Sequence, residues 1–355
     1  MKHHAILYYI SSHGYGHASR AGKVIHELVK NNTVYIKTLA PKWLLKQIIG
    51  SEPLIIGPSP DTGCLQRNNF DVDIDGTMDA YLKQSEINKL SMESERSFIQ
   101  EKNIEAIISD IPSFPFLIAK KTSLPSVFIG NFTWKGIYSF YLKNEGHPII
   151  QELAEQYGSA DKSLTTPLSM DMPELKDREK ISFIARKGAN IRDRLNRDFK
   201  IPEENKLVFF YAGNHGAGNI PSGLVGKIEG HTFISFYPLD SPPDNFICLE
   251  SDIYAHQDIM ASSDCALIKP GYGMVSEAMV NNIPIIYPPR EDFAEYFAFV
   301  QEFENSRGAL LIKREDFDTG NWMGALSSIK GLKYRKNYSS NGAIECARVI
   351  ESLLS

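Results

Sequence analysis

The chain has 355 residues, of which 43% are hydrophobic and 23% charged, with a formal net charge of −5. This balance suits a core large enough for two domains and gives no general electrostatic pull toward nucleic acid. Cys64, Cys248, Cys265 and Cys346 include no C-x-x-C pair, which argues against a zinc ribbon or a disulfide framework and suits a reducing compartment. No apolar run approaches the ~20 residues that span a bilayer, and the short apolar start leads straight into a polar turn, unlike a signal peptide. We expect a cytoplasmic protein with no nucleic-acid partner and at most peripheral membrane contact.

In chain order, short apolar runs bounded by Gly, Pro, Asn or Asp are predicted as strands. The first set is "AILYYI", "TVYIKTLA", "PLIIG", "EAIISD", "PSVFIGN" and "KSLTT". The second is "ISFIA", "KLVFFYAG", "TFISFYP", "NFICLE", "CALIKPG", "IPIIYPP" and "GALLIK". Runs this apolar on both faces belong in a covered parallel sheet. Helical stretches separate several of them: "ASRAGKVIHELVKN", "SFPFLIAKKTS", "GMVSEAMVNN" and "AEYFAFVQEFENS". Strand–helix alternation implies right-handed crossovers and doubly wound α/β sheets. A polar, Pro-containing segment puts the domain boundary near residues 173–187. The expected division is 1–175, 176–337 and an amphipathic C-terminal helix within 338–355. No repeat or low-complexity segment is visible.

The turn after the first strand reads Gly14-Tyr15-Gly16-His17-Ala18-Ser19. A dinucleotide fingerprint requires Gly or Ala where Ser19 stands, and an acid at the end of the second strand, where "TVYIKTLAP" has none. The turn is therefore not read as an NAD site. His17 lies at the carboxyl edge of the first strand, where α/β sheets hold ligands, and is a candidate general base. His13 is a weaker candidate. The ordinary alternative for a histidine in such a turn is a surface or capping role.

A second turn, Lys269-Pro270-Gly271-Tyr272-Gly273, precedes a helix expected to start near Met274. Its glycines would let a diphosphate reach the free N–H groups of the helix N-terminus. Glu277, one turn further on, could hold a ribose diol, against the alternative of an ordinary solvated glutamate. Arg290, Glu291, Asp292 and Glu295 follow the next strand on the same edge and suit sugar hydroxyls, or merely an acidic helix start. "FFYAGNHGAGN" ends the first strand of the second domain in a glycine loop facing the same cleft. "DVDIDG" is a D-x-D by letters and is read as a loop rather than a metal site.

Together, "S-x-D-x-x-x-x-K-P-G-Y-G-x-x-S-E-A" and "N-x-I-P-I-I-Y-x-P" resemble the donor-nucleotide motif of GT-B glycosyltransferases. The resemblance is to MurG-like enzymes and to the glycosyltransferase-like domain of plant L-arabinokinases. "HGYGHASR" and "SDIPSFPFLIAKKTSLPSVFIGNFTW" are similar to the N-terminal half of that group. The resemblance implies two Rossmann-like domains facing a cleft, with the C-terminal helix crossing back to the first. The nucleotide-sugar donor, with UDP expected, would bind mainly to the second domain, and the acceptor mainly to the first.

On that pattern Glu277 holds the ribose, and Gly271, Tyr272 and Gly273, with Lys269, His256 and Ser276, surround the donor. Gly14 and Gly16 approach the diphosphate from the other side, Gly213 and Asn214 form the loop entering the second domain, and Asp292 and Glu295 meet the donor sugar. No metal or other cofactor is implied, since the helix dipole and basic groups stabilise the leaving diphosphate. The first turn lacks MurG's longer glycine run and no basic-apolar membrane patch is evident, so among glycan and glycolipid acceptors a lipid-linked one is the less expected. The expected activity is inverting glycosyl transfer with His17 as base and Asp110 as alternative base or orienter. His13, Phe132, Trp134 and Tyr138 would line the acceptor cleft, the aromatics otherwise being core. The rivals are a nucleotide-sugar 2-epimerase and a non-catalytic sugar-nucleotide-binding module.

Overall fold

A computed structural model describes residues 3–213, 220–251 and 253–354. The first domain runs β1 (Ala5–Ile10), α1 (Tyr15–Leu28), β2 (Thr33–Lys37), α2 (Lys42–Ile49), β3 (Leu54–Gly57) and α3 (Ile74–Lys102). It continues with β4 (Ala106–Asp110), α4 (Phe114–Thr122), β5 (Ser126–Gly130), α5 (Trp134–Leu142), α6 (Pro148–Tyr157), β6 (Lys162–Thr165) and β7 (Arg178–Lys180). The second domain contains α7 (Arg192–Phe199), β8 (Lys206–Tyr211), α8 (Ser222–Val225), β9 (His231–Ser235), β10 (Phe246–Cys248), α9 (His256–Ser262) and β11 (Cys265–Ile268). It ends with α10 (Tyr272–Val280), β12 (Ile285–Tyr287), α11 (Glu295–Ser306), β13 (Ala309–Leu311), α12 (Arg314–Thr319) and α13 (Met323–Ile329), before α14 (Gly342–Leu353).

Among the described residues the strands form two sheets ordered β3-β2-β1-β4-β5-β6-β7 and β10-β9-β8-β11-β12-β13, and all pairings between named strands are parallel. Side chains alternate across a strand, so a continuously apolar strand feeds two cores. Ile6, Tyr8 and Ile10 of β1 enter one cluster while Leu7 and Tyr9 enter the opposite one. In β8, Leu207 and Phe209 face one core and Val208 and Phe210 the other.

The strand order reverses between β1 and β4, and again between β8 and β11, which are the positions where open α/β sheets form ligand crevices. Register matters here: Ile10 pairs with Asp110 and Ile268 with Tyr211, so each pair of strands ends level. α14 buries Ala343, Cys346, Ala347 and Ile350 in the first domain's core, although it follows the second domain in sequence. No helix among the described residues is long and apolar enough to cross a membrane.

Several expectations are revised. "ISFIA" is not a strand. Ile181 and Ile184 join the first domain's core while Phe183 and Ala185 join the second's, so this apolar run is shared between two domains rather than two sheet faces. Ile181 N–H still donates to Thr165 O of β6 at 3.0 Å, and beyond it the backbone bonds to the C-terminal segment, with Phe183 N–H donating to Ser339 O and Gly342 N–H to Phe183 O, both at 3.1 Å. Arg178–Lys180, inside the expected boundary segment, is an exposed edge strand. α10 starts at Tyr272, two residues before the expected Met274.

The "DVDIDG" stretch closes a finger in which Gln66 and Val72 form an antiparallel bridge and Asn68 Oδ1 accepts from the Phe70 and Asp71 N–H groups. Asp73 then caps α3 by accepting from Gly76. The finger inserts Phe70 into the second domain's core, with the Arg314 guanidinium 3.3 Å from its ring centroid.

A repeat is also present. Gly14-Tyr15-Gly16-x-x-Ser19-x-Ala21 recurs as Gly271-Tyr272-Gly273-x-x-Ser276-x-Ala278, each opening a helix after a strand at the reversal of its sheet.

Candidate active site

The two repeated turns meet across the domain cleft. Gly14 and Gly271 are the N-caps of α1 and α10, which puts Gly16 and Gly273 at the second position of each helix. A Cβ on Gly273 would lie 3.6 Å from Gly16 Cα, and one on Gly16 would lie 4.0 Å from Gly273 N. Positive φ occurs at Gly14, where φ is 81° and ψ 168°, rather than at Gly16. Neither helix has a side-chain cap or an acidic residue in its first turn. Two positive helix ends therefore face one space with their N–H groups free, an arrangement that an anion between them would stabilise. That space is a cavity of about 630 Å³ walled by both domains.

On the second-domain side, Lys269 and Arg290 are both buried and line the cavity, and neither forms an ion pair among the described residues. Arg290 stacks over Phe293 at 4.1 Å and its NH1 donates to Pro270 O at 3.3 Å, while its Nε has no partner among the described residues. Burial, reinforced by the charge of Arg290, lowers the Lys269 pKa to about 7. Burial likewise lowers that of Arg290. Glu277 is 4% exposed. Its Oε1 accepts from Arg186 Nε at 2.6 Å, and its Oε2 has no partner among the described residues. One carboxylate oxygen is thus engaged by the interdomain linker, and the other faces no partner among the described residues.

His256 stacks on Phe236 at 3.8 Å with its Nδ1 unpartnered among the described residues, and burial brings its pKa down to about 3. Both rings line the cavity and offer a flat apolar surface. Ser276 turns inward, donating to Gly273 O at 3.1 Å, and does not reach the cavity wall. Asp292 is half-buried beside the wall, and desolvation raises its pKa. Gly213, two residues past β8, has φ 119° and lies against Asn69 and Lys269. Asn214 lies outside the described residues.

On the first-domain side, His17 is the third residue of α1, and Asp110, the last of β4, sits next to it because β1 and β4 end level. His17 Nδ1 is 3.1 Å from Asp110 Oδ1. Arg20, one turn further along α1, donates from Nε to Asp110 Oδ2 at 2.8 Å and from NH2 to Oδ1 at 2.7 Å. Burial alone would raise the Asp110 pKa, but the charge and hydrogen bonds of Arg20, with His17, outweigh it and hold the carboxyl below its ordinary value. Arg20 NH1 donates to Asn131 Oδ1 at 2.7 Å, and Asn131 Nδ2 donates to Glu295 Oε1 at 2.6 Å.

His13 accepts from the Cys64 N–H at Nδ1 and packs against Trp134 and Phe293; burial, then His17, Arg290 and Lys269, lower its pKa to about 3. Phe132 lines the cavity and meets His17 edge-on at 5.7 Å. Trp134 and Tyr138 lie behind that wall, where Trp134 Nε1 donates to Asp61 Oδ2 at 2.8 Å and Tyr138 OH to Gly63 O at 2.9 Å. Sequence reasoning passed over Arg20, Asn131, Arg186 and Phe236. Arg20 carried a usable signal, since it is three residues after His17 and so shares its helix face. Asn131 and Phe236 sit just past strand ends, also a readable position, whereas Arg186 is brought in by a linker whose path the sequence does not reveal.

Two Rossmann-like parallel-sheet domains with this crossing C-terminal helix are the GT-B glycosyltransferase fold. Similar solved structures include the calicheamicin glycosyltransferase CalG4, at TM-score 0.67 and 12% identity over 100% of this chain and 99% of that one. The glycotransferase of kitacinnamycin is similar at TM-score 0.66 and 14% identity, over 100% of both chains. UGT2 of Phytolacca americana, complexed with UDP-2fluoro-glucose and pterostilbene, is similar at TM-score 0.63 and 15% identity over 100% of this chain and 94% of that one. By sequence, the chain is 27% identical to the L-arabinokinase of Arabidopsis thaliana over 362 residues, covering 99% of this chain. It spans about a third, 34%, of that relative's length. No family model matches the chain.

Proposed function

We propose that the protein is a glycosyltransferase that moves a sugar from a nucleoside-diphosphate donor to an acceptor hydroxyl with inversion and without a metal. The observation that carries this reading is the pair of uncapped helix N-termini meeting beside Lys269 and Arg290, which have no ion pair among the described residues, with an imidazole–carboxylate pair on the facing domain. A diphosphate satisfies that concentration of positive charge. The free Oε2 of Glu277 accepts from a ribose hydroxyl, and the Phe236–His256 surface suits a nucleobase.

In the reaction, His17 holds its proton on Nδ1 toward Asp110 and presents the Nε2 lone pair to the cleft. The acceptor oxygen attacks the anomeric carbon from the face opposite the diphosphate and its proton passes to Nε2. The bond from the anomeric carbon to the diphosphate oxygen breaks, and its electron pair leaves with the diphosphate into the field of α1, α10, Lys269 and Arg290. These cationic groups do the work that a divalent ion would otherwise do at the leaving group.

The test begins with a thermal-shift panel of UDP, dTDP, GDP, ADP and CMP, in which the nucleotide that binds raises the melting temperature. UDP is the expected one, and UDP and thymidine diphosphate are bound in similar structures of UGT89C1 from Arabidopsis thaliana and of spinosyn rhamnosyltransferase SpnG. The matching sugar donors are then incubated with and without acceptors, glycans first, in excess EDTA. Transfer with inverted anomeric configuration supports the proposal. Epimerised donor with free nucleoside diphosphate would replace it with a 2-epimerase, and binding without turnover would leave a sugar-nucleotide module.

A further inference from the structure

Glycosyl transfer by His17 and Asp110 gives no reason for Asn131, a polar side chain with no exposed surface just after β5. Both ends of its amide are used. Oδ1 accepts from Arg20 NH1 at 2.7 Å and Nδ2 donates to Glu295 Oε1 at 2.6 Å. Glu295 is the first residue of α11 and belongs to the other domain. A buried polar chain His17–Asp110–Arg20–Asn131–Glu295 therefore crosses the domain boundary. The second domain reaches it at one more point, where the Tyr272 ring centroid lies 5.0 Å from the Arg20 guanidinium carbon.

The chemistry of each link explains why this residue type stands there. Arg20 grips Asp110 through two N–H groups, and a third bond, to Asn131, fixes the plane of the guanidinium. An amide accepts at one end and donates at the other, whereas a carboxylate here would accept from Arg20 but face Glu295 with no proton to give. Glu295 is buried, which raises its pKa, and the Asn131 N–H is the hydrogen bond that favours its charged form. Pulling the domains apart removes Glu295 from Asn131 and Tyr272 from Arg20, which frees the Asn131 amide to turn and takes away what fixes the guanidinium plane against Asp110.

We propose that Asn131 is a positioning residue: with the cleft shut it takes its orientation from Glu295 and holds Arg20 on Asp110, so that the His17–Asp110 pair reaches working geometry only when the two domains meet. This rests on reading His17 as the base. Displacements of about 1 Å in such supports cost about 10²-fold in rate, so the effect is large enough to measure. It also ties catalysis to closure, when water has left the cavity.

The test is a double-mutant cycle with Asn131→Asp and Glu295→Gln, read by denaturant stability, by kcat and donor KM, and by the His17 imidazole signals in NMR, assigned through their loss in His17→Ala. Asn131→Asp places two carboxylates face to face, and is expected to lower kcat by about 10²-fold with little change in KM and to displace the His17 signals. Adding Glu295→Gln returns a donor opposite the introduced carboxylate, and should recover about tenfold in kcat relative to Asn131→Asp alone, return the signals toward their wild-type positions and stabilise the protein. A merely structural role would lower stability and kcat with no recovery in the pair. Should Asn131→Asp not fold, Asn131→Ala reads the same NMR signals without added charge. Additive stabilities, or His17 signals unmoved in the Asn131 variants, overturn the proposal. If the cycle couples and the His17 signals respond but no donor is turned over, glycosyl transfer fails while the positioning chain stands.

Discussion

His17 Nδ1 has two neighbours and room for one hydrogen bond: Asp110 Oδ1 at 3.1 Å and Arg20 NH2 at 3.2 Å. When Nδ1 carries the proton it donates to Asp110, and the Nε2 lone pair is left for an acceptor hydroxyl. When Nδ1 is bare, it accepts from Arg20 and Nε2 becomes a donor. Catalysis by the proposed route uses the first state, so His17→Ala should cut turnover by about 10²–10⁴-fold while calorimetric affinity for the nucleotide stays nearly unchanged. Near-normal turnover across the pH range would move the base elsewhere, with Asp110 the next residue to test. Glu277→Gln keeps the volume and removes the charge, and should weaken nucleotide binding by roughly 1.5–3 kcal/mol, the range for a hydrogen bond to a charged group. Unchanged affinity would take Glu277 out of the site. Lys269 gives a pH dependence. Burial has lowered its pKa to about 7, and only the protonated amine attracts a diphosphate, so affinity should fall as pH rises from about 6.5 to about 8.5. Lys269→Met should bind more weakly and lose that dependence; a retained slope would point to another group.

The site at the scale of elements is two helices abutting through glycines. Gly16 and Gly273 lie against each other's backbone, with space there for a methyl group but not for a larger side chain. Alanine at Gly16 meets only ordinary van der Waals contact with Gly273, whereas the extra methyls of valine would push α1 and α10 apart. Gly16→Ala should therefore bind nucleotide nearly as the parent does, and Gly16→Val should bind it at least about tenfold more weakly, an effect of about 1.4 kcal/mol. Gly14 differs, since its backbone lies in a region essentially confined to glycine, and Gly14→Ala should lower stability by about 1–3 kcal/mol in denaturant unfolding. Strands were the most legible elements, because a sheet covered on both sides leaves an apolar run in the sequence. "ISFIA" is equally apolar and is a linker, since a run buried between two domain cores reads like one buried on both faces of a sheet. The 29-residue α3 escaped notice for the opposite reason: its buried positions include Thr77, Ser85, Asn88 and Glu95, so no apolar stripe marks it.

Across the whole molecule, the crossings that tie the two domains together include α14 returning to the first domain, the Phe70 finger entering the second, and, in the cleft, the Asn131–Glu295 bond and the Arg20–Tyr272 contact. α14 is joined to its host by apolar burial and by Asn31 and Asn32, which both donate to Glu351 Oε1. Ile350 has no exposed surface, and Ile350→Ala should cost about 2–5 kcal/mol, seen as a lower melting temperature. A loss well below that range would mean that α14 is only loosely docked. The amino-acid sequence by itself determined the two α/β sheets, the glycine turns at their carboxyl edges and the presence there of His17, Asp110, Lys269 and Glu277, because these follow from local apolar runs, turn chemistry and spacing. What only the tertiary structure decided is which distant groups share a contact: that Gly16 rests on Gly273, that Arg20 grips Asp110, that Arg186 takes one oxygen of Glu277, and that Asn131 reaches Glu295 of the other domain. Those pairings depend on how strand order, register and domain docking bring remote positions within about 3 Å, the reach of a hydrogen bond, and no local pattern along the chain encodes that distance.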